Sequence, residues 1–422
     1  MIFRIERKIF LSDIKPDTAK AVKARLTMDN PKFQEAEKMG RWTGNLEPKL
    51  CFYEETDEAL ACPRGAARQV YELCRAHGEE IRVIDSRRTL PPVDYAFYGT
   101  LRAFQEQPIS DCLGHDFGLL SAPTGSGKTV MACYMIAERR QPVLIVVHTK
   151  ELLAQWQERI KSFLGVDAGI IGGGKYEIRP VTVATIQSLV KCAPEVAEHF
   201  GYLILDECHK APAMQYVKAI EAFDCRYMTG LSATPYRRDG LSKVIFWHVG
   251  DVAGQVDKAE LVEGGSLCPA AVRWVETDFN TTIDATEFYS KALSELAADE
   301  PRNKLIARTV AENNGTGISL ILSDRKAHCH TLAAMLEGEG VLSHVLTGGT
   351  GTRERRRILD DLNQGRCKYL IATGQLIGEG FDLPAISSMF LTTPVKYHGR
   401  LIQYIGRALR PAPGKDRAYI FD

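Results

Sequence analysis

Between residues 118 and 234 the chain carries short, nearly continuous apolar runs: Gly118-Leu119-Leu120, Val143 to Val147, Val181 to Ala184 and Tyr202 to Leu205. Runs this short and this free of polar alternation are the pattern of strands covered on both faces of a sheet. The stretches between them, Val130 to Arg139 and Glu151 to Phe163, space their apolar positions as helices do. Strand, helix, strand in that order predicts a parallel, doubly wound α/β sheet. A second such series begins near Pro301, with strands at Ile318 to Leu322, His344 to Leu346, Tyr369 to Ala372, Met389 to Thr392 and Ala418 to Phe421, and helices at Lys326 to Leu336 and Arg353 to Leu362. The first 90 residues read differently. Ile2 to Leu11 is expected as one strand and Pro16 to Leu26 as a helix, with a second short helix restarting at Asn30-Pro31. Lys49 to Tyr53, Ala59 to Cys62 and Ile81 to Ile84 suit strands, and Arg64 to Ala76 a helix. Pro91-Pro92 then reads as a linker. The expected organisation is a small α+β accessory domain over 1–90, a first α/β domain over 91–240, a mixed inter-domain segment over 241–300 and a second α/β domain over 301–422.

The length of 422 residues is about three typical domains and excludes a single small binding module. With 45% hydrophobic and 25% charged residues, the composition excludes global disorder. The 53 basic and 53 acidic residues cancel, so no net field advertises a polyanion. A groove can still be basic on a neutral protein, and the first fifty residues carry 11 basic against 7 acidic groups. The eleven cysteines form no C-x-x-C pair, and the one close Cys/His set is His328-Cys329-His330. A reduced, cytoplasmic chain is expected over a disulfide or zinc framework. No apolar run approaches the roughly 20 residues that span a bilayer, so no membrane partner is expected. Met1 to Lys8 mixes charge into its start and has no signal-peptide core. The chain stops at Asp422 directly after an apparent strand, which leaves a longer natural protein open.

Three constellations carry chemistry. Ala122-Pro123-Thr124-Gly125-Ser126-Gly127-Lys128-Thr129 follows an apolar run and precedes a helix, the place for a phosphate loop. Its glycines let successive N–H groups turn inward around a triphosphate, Lys128 reaches the β and γ phosphates, and the Thr129 hydroxyl ligates Mg²⁺. Ala122 stands where the general pattern has its first glycine. The strand Tyr202 to Leu205 leads into Asp206-Glu207-Cys208-His209, which places carboxylates at a strand's C-terminal end, where open α/β sheets bind ligands. Asp206 suits the metal, and Glu207 suits the attacking water. Near the end, Gln403-Tyr404-Ile405-Gly406-Arg407-Ala408-Leu409-Arg410 sets two arginines three apart, on one helix face if the helix continues, as charge for a γ-phosphate.

Together these residues resemble a superfamily 2 DExH-type helicase or translocase over roughly residues 95 to 422. The set is Leu101 to Gln105 (Q motif), the phosphate loop, His148 to Trp156 (Ia), Thr185 to Ser188 (Ic), Asp206 to His209 (II), Ser232 to Pro235 (III), Gly378 to Asp382 (V) and Gln403 to Arg410 (VI). Gly230 to Gly240 is similar to the XPB, RadD and phage UvsW-like branch of DNA-dependent motors. The resemblance implies two tandem RecA-like domains with ATP and Mg²⁺ as cofactors. It implies that Thr124, Gly125, Ser126, Gly127, Lys128 and Thr129 hold phosphates, with Thr129 and Asp206 on the metal. Gln105 would read adenine, with Phe97 or Tyr98 as a stacking candidate or simply core. Gly380 and Asp382 would approach ATP from the second domain. Glu207, Lys128, Arg407, Arg410 and Gln403 would carry catalysis, while His209, Ser232 and Thr234 couple the ATP site to the groove. Thr149, Thr185, Ser323 and Thr373 would offer hydroxyls or loop N–H groups to strand phosphates, or serve as helix caps and turn bonds.

The implied function is an ATP-driven DNA translocase that remodels duplex or branched DNA, stepping as the two domains close on ATP and reopen. The implied partner is DNA, with RNA as an alternative polymer. A monomer is expected, or a place in a larger complex. Competing functions are an RNA helicase, the motor subunit of a restriction or defence complex, and an ATP-gated clamp that does not step.

Overall fold

The computed structural model describes the whole chain except residues 211–213, 237–239, 314–316, 375–385, 396–397 and 413. Two compact units emerge, Met1–Pro123 with Gly127–Asp257, and Lys258–Asp422 with Thr124–Ser126. Their boundary at Asp257/Lys258 falls inside the segment 241–300 that sequence assigns to neither domain.

The N-terminal block has its own five-stranded sheet, in the order Glu54–Glu55, Leu60–Pro63, Lys8–Ser12, Ile2–Ile5, Arg82–Asp85. The expected single strand over Ile2 to Leu11 is a hairpin. Ile2–Ile5 and Lys8–Ser12 pair antiparallel, Ile5 opposite Ile9, around Glu6-Arg7. Two charged residues break the apolar run there without the Gly or Asn that marks most tight turns, which hides the reversal in the sequence. Helices Pro16–Arg25 and Ala67–Ala76 cover the sheet, and Phe3, Ile9, Leu11, Val22, Val70 and Cys74 fill the core between them. Residues 86–102 are not a free tether. Leu90 N–H donates to Gln141 Oε1 (2.8 Å) and Val93 N–H to the Arg140 carbonyl (2.8 Å), binding this strap to the α/β domain that follows.

That domain is built on eight strands, ordered Lys175–Glu177, Gly169–Gly172, Val181–Thr185, Val143–Val147, Tyr202–Leu205, Tyr227–Ser232, Phe117–Ser121, Val252–Gln255. Only the outermost pair, at Lys175–Glu177, is antiparallel. The four predicted strands are present, and their side chains are buried on both faces as continuous apolar runs require. Helices Lys128–Arg139 and Lys150–Leu164 begin two and one residues earlier than the apolar spacing indicates.

The second unit holds a six-stranded, wholly parallel sheet, ordered Ala270–Arg273, Ala418–Phe421, Ile386–Leu391, Ile318–Ser323, Tyr369–Thr373, Ser343–Leu346. The molecule is therefore α/β, two doubly wound parallel sheets in tandem after a small α+β block. Among the described residues no helix is long and apolar enough to cross a membrane.

Candidate active site

Neighbouring strands bring three of the sequence motifs to one edge. Phe117–Ser121 pairs with Tyr227–Ser232, Ser121 beside Ser232, and Tyr227–Ser232 pairs with Tyr202–Leu205, Gly230 beside Leu205. Parallel pairing points all three C-terminal ends the same way. The phosphate loop, the Ser232-Ala233-Thr234 turn and Asp206-Glu207 consequently leave the sheet side by side.

The loop turns through glycines that need left-handed backbone, Gly125 at φ +93° and Gly127 at +80°, the latter opening helix Lys128–Arg139. The φ of Gly127 favours glycine, and a Cβ there would lie 2.7 Å from the Gln105 side-chain nitrogen, so Gln105 stands against the loop. Gln105 is buried, and its Oε1 accepts the Arg102 N–H (2.9 Å), which caps helix Ala103–Leu113. Ser126 is buried, and Thr129 is half-buried at the helix start. Lys128 Nζ donates to the Ala122 carbonyl (3.0 Å), a bond that a triphosphate can replace. Phe97 packs edge-on to Tyr134 at 5.3 Å, whereas Tyr98 is 65% exposed.

Asp206 is buried. Its Oδ2 accepts the Trp156 indole N–H (2.8 Å) and its Oδ1 the Glu207 N–H (3.0 Å). Burial pushes the Asp206 carboxyl up, and the adjacent Glu207 charge adds to it, while the Trp156 bond and the Lys128 charge pull the other way. Trp156 had no assigned role in the sequence. A buried indole needs an acceptor, but which acceptor depends on how helix Lys150–Leu164 lies on the sheet. Glu207 adopts φ +49°, unusual for a residue with a side chain, and its Oε2 is buried without a hydrogen-bond partner. His209 Nδ1 lies 3.3 Å from that oxygen and 3.2 Å from Ser232 Oγ, which accepts the Thr234 N–H at 3.1 Å. Glu207, His209, Ser232 and Thr234 thus form one polar chain between the second and third motifs.

An unpartnered buried carboxylate oxygen, two crowded carboxylates and the Thr129 hydroxyl are hard oxygen donors that a magnesium ion suits, and the glycine loop before a helix N-terminus suits a triphosphate. The residue types present fit a triphosphate and a magnesium ion.

The strand-facing candidates sit at C-terminal strand ends, and three of them, Thr149, Thr185 and Ser323, already have internal uses. Thr149 caps helix Lys150–Leu164 by accepting the Leu152 N–H (3.2 Å), and Thr185 Oγ1 bonds Ser188 Oγ (3.1 Å). In the second sheet Ser323 and Thr373 are register neighbours. Ser323 is buried, its hydroxyl 2.9 Å from His328 Nδ1 and accepting the Arg325 N–H at 3.1 Å. His328 Nε2 lies 2.8 Å from Asn303 Oδ1, and burial pushes the imidazole down to about 4, so it is neutral and part of the core. Arg407 lies in helix His398–Ala408, which ends before Arg410; the two therefore do not share one continuous helix face. Gln403 belongs to the same helix. Gly380 and Asp382, with all of Gly378 to Asp382, lie outside the described residues, as do Arg237 to Asp239.

Residues 98–237 match the family described as "Type III restriction enzyme, res subunit", and residues 301–412 match "Helicase conserved C-terminal domain". "Probable helicase D10" of Escherichia phage T5 is 28% identical over 82% of this chain and 75% of its own length. "DNA 3'-5' translocase XPB2" of Sulfurisphaera tokodaii is 37% identical over 38% of this chain and 37% of its own length. Among solved structures, a fragment of a putative HsdR subunit of a type I restriction enzyme from Vibrio vulnificus YJ016 covers 78% of this chain and 65% of its own, with a TM-score of 0.60 and 19% identity, a likeness of fold. The two family matches together span more than half of the sequence, in the order and at the places where its motifs fall. The chain belongs to the superfamily 2 helicases.

Proposed function

We propose that this protein is an ATP-driven DNA translocase or helicase that remodels duplex or branched DNA. The observation that carries the reading is the Glu207–His209–Ser232–Thr234 chain, which begins at a buried carboxylate oxygen with no hydrogen bond of its own. A hydrolytic carboxylate joined to the turn after a neighbouring strand makes the state of the ATP site felt away from it. Bound ATP and Mg²⁺ supply the scissile phosphoanhydride and neutralise its charge. Lys128 holds phosphates, Asp206 holds the metal in place with Trp156 fixing its carboxylate, and Glu207 orients the attacking water and accepts its proton. Arg407 and Arg410 offset the charge that builds on the transferred phosphoryl group, and Gln403 works beside them. Thr149, Thr185, Ser323 and Thr373 mark the strand ends that face the tracked polymer. Since the hydroxyls of Thr149 and Ser323 are taken internally, the grip there comes from backbone N–H groups.

DNA rather than RNA is proposed because a relative, 37% identical over 38% of this chain, is named a DNA translocase. The N-terminal block is proposed as an accessory that touches duplex beside the tracked strand. The deciding measurement is ATPase rate with single-stranded DNA, duplex, forked DNA and RNA, at two salt concentrations. Forked or duplex DNA is expected to stimulate most, and stimulation is expected to fall as salt rises, because gripped phosphates release counterions. Stimulation by RNA alone overturns the DNA assignment, and hydrolysis indifferent to any polynucleotide overturns the motor.

A further inference from the structure

Lys415 sits in the turn before the last strand, outside every motif. Its ammonium has three donors, and each meets a backbone carbonyl: Ile386 at 2.6 Å, Arg410 at 2.8 Å and Ala408. The carbonyl between the last two, Leu409, accepts the Cys268 N–H at 2.7 Å. Three consecutive carbonyls at the end of helix His398–Ala408 are thereby claimed.

A helix leaves its last carbonyls without internal partners, and a cation near that end satisfies them and opposes the dipole. Lys415 does more than cap. By reaching Ile386 it joins the turn that carries Arg410 to the first residue of strand Ile386–Leu391, the strand that follows Gly378 to Asp382 in sequence. Partial burial pulls the Lys415 pKa down, and the ammonium is held by carbonyl dipoles. Arg410 stands two residues beyond the helix, tied to its last turn by its N–H donating to the Arg407 carbonyl (3.3 Å), and the Lys415 bond to its own carbonyl adds a second hold from outside the helix.

We propose that Lys415 is a positioning residue for ATP turnover: by binding the Ala408, Arg410 and Ile386 carbonyls together, it holds Arg410 in the one placement from which its guanidinium serves the transferred phosphoryl group. This rests on the motor reading above. A group displaced by about an ångström from its productive position loses on the order of a hundredfold in rate while substrate still binds.

The test uses the full chain with saturating forked DNA and five variants: Lys415→Met, Lys415→Arg, Arg410→Ala, the double Arg410→Ala/Lys415→Met and, as reference, Glu207→Gln. Lys415→Met is expected to lower kcat about 10- to 100-fold with the KM for ATP nearly unchanged. Lys415→Arg, which keeps charge and donors, is expected to recover part of the rate. The double variant is expected to be no slower than Arg410→Ala alone, because a positioning residue has nothing left to position. Parental kcat in Lys415→Met overturns the proposal, and so does a double variant whose loss is the product of the two single losses, the signature of a merely structural lysine. If Lys415→Met fails to fold, the same cycle run with Lys415→Arg decides. A parent without polynucleotide-stimulated ATPase, or an unimpaired Arg410→Ala, overturns the motor reading as well. An active Lys415→Met beside an inactive Glu207→Gln overturns only the role of Lys415.

Discussion

Glu207 concentrates what a single residue can reveal. A side-chain-bearing residue at φ +49° is strained by roughly 1–3 kcal/mol, and a buried carboxylate oxygen that makes no aligned hydrogen bond, its near neighbour being His209 Nδ1 at 3.3 Å, adds a desolvation penalty. Both are tolerated where the residue acts on something else. Replacing it by glutamine keeps the shape and removes the base, so Glu207→Gln is expected to bind ATP as the parent does, read by a fluorescent nucleotide analogue. Its stimulated turnover should fall at least about 100-fold. Turnover at half the parental rate would remove Glu207 from the chemistry. That Lys128, Asp206 and Glu207 follow strands of one sheet was legible in sequence, because each motif comes directly after an apolar run. Trp156 and Lys415 were not. Each answers a need that exists only after folding, an indole seeking an acceptor and a helix end seeking donors, across 50 residues for Trp156–Asp206 and 29 for Lys415–Ile386.

Among elements, the strands buried on both faces were plain from their apolar runs, and the short edge strands were not. Val252–Gln255 has four residues, includes a glycine, shifts register beside Phe117–Ser121 and is half-buried, so it carries neither alternation nor a run. Helix Ser242–Val249, which follows the Ser232-Ala233-Thr234 turn, has a role that its pattern conceals. It sends Trp247 into the hydrophobic core of the N-terminal block, against Phe52 at 5.1 Å between ring centroids. Gly65 approaches the backbone of His248–Gly250 so closely that a Cβ would lie 2.5 Å from it, and buried Arg64 donates to the Cys225 carbonyl at 2.7 Å. Lys8 bridges Glu54 at 2.8 Å and Glu221 at 3.2 Å. Trp247→Ala empties a site shared by both layers and is expected to cost about 3–5 kcal/mol, lowering the melting temperature by roughly 10 °C. The block and the first α/β domain should still melt in one transition by calorimetry. Two separated transitions, or an unchanged melting temperature, would mean that the block is tethered rather than built in.

At the scale of the whole molecule, this docking changes how the N-terminal block must be tested. A seam of Trp247, Arg64, Gly65 and the Lys8–Glu221 pair makes deletion of residues 1–90 expose a core, so a lost activity would say nothing about DNA. Surface charge is the cleaner probe. Helix Pro16–Arg25 presents Lys20 and Arg25 to solvent, whereas Lys23 is ion-paired to Glu55 and lies over the Tyr53 ring, already engaged within the block. If the basic excess of the first fifty residues faces duplex phosphates, Lys20→Glu and Arg25→Glu weaken binding to forked DNA while leaving single strands held by the two α/β domains. Each phosphate contact removed also lowers the salt slope of the affinity by about one unit, because one fewer counterion is released. The expected result at low salt is a loss of several-fold to tenfold on forked DNA for the double reversal, little change on single-stranded DNA, and unchanged ATPase in the presence of saturating single strands. Binding titrations of parent and double reversal on both DNAs at two salt concentrations supply the comparison. Equal weakening on both, or the parental salt slope on forked DNA, assigns the block to structure alone.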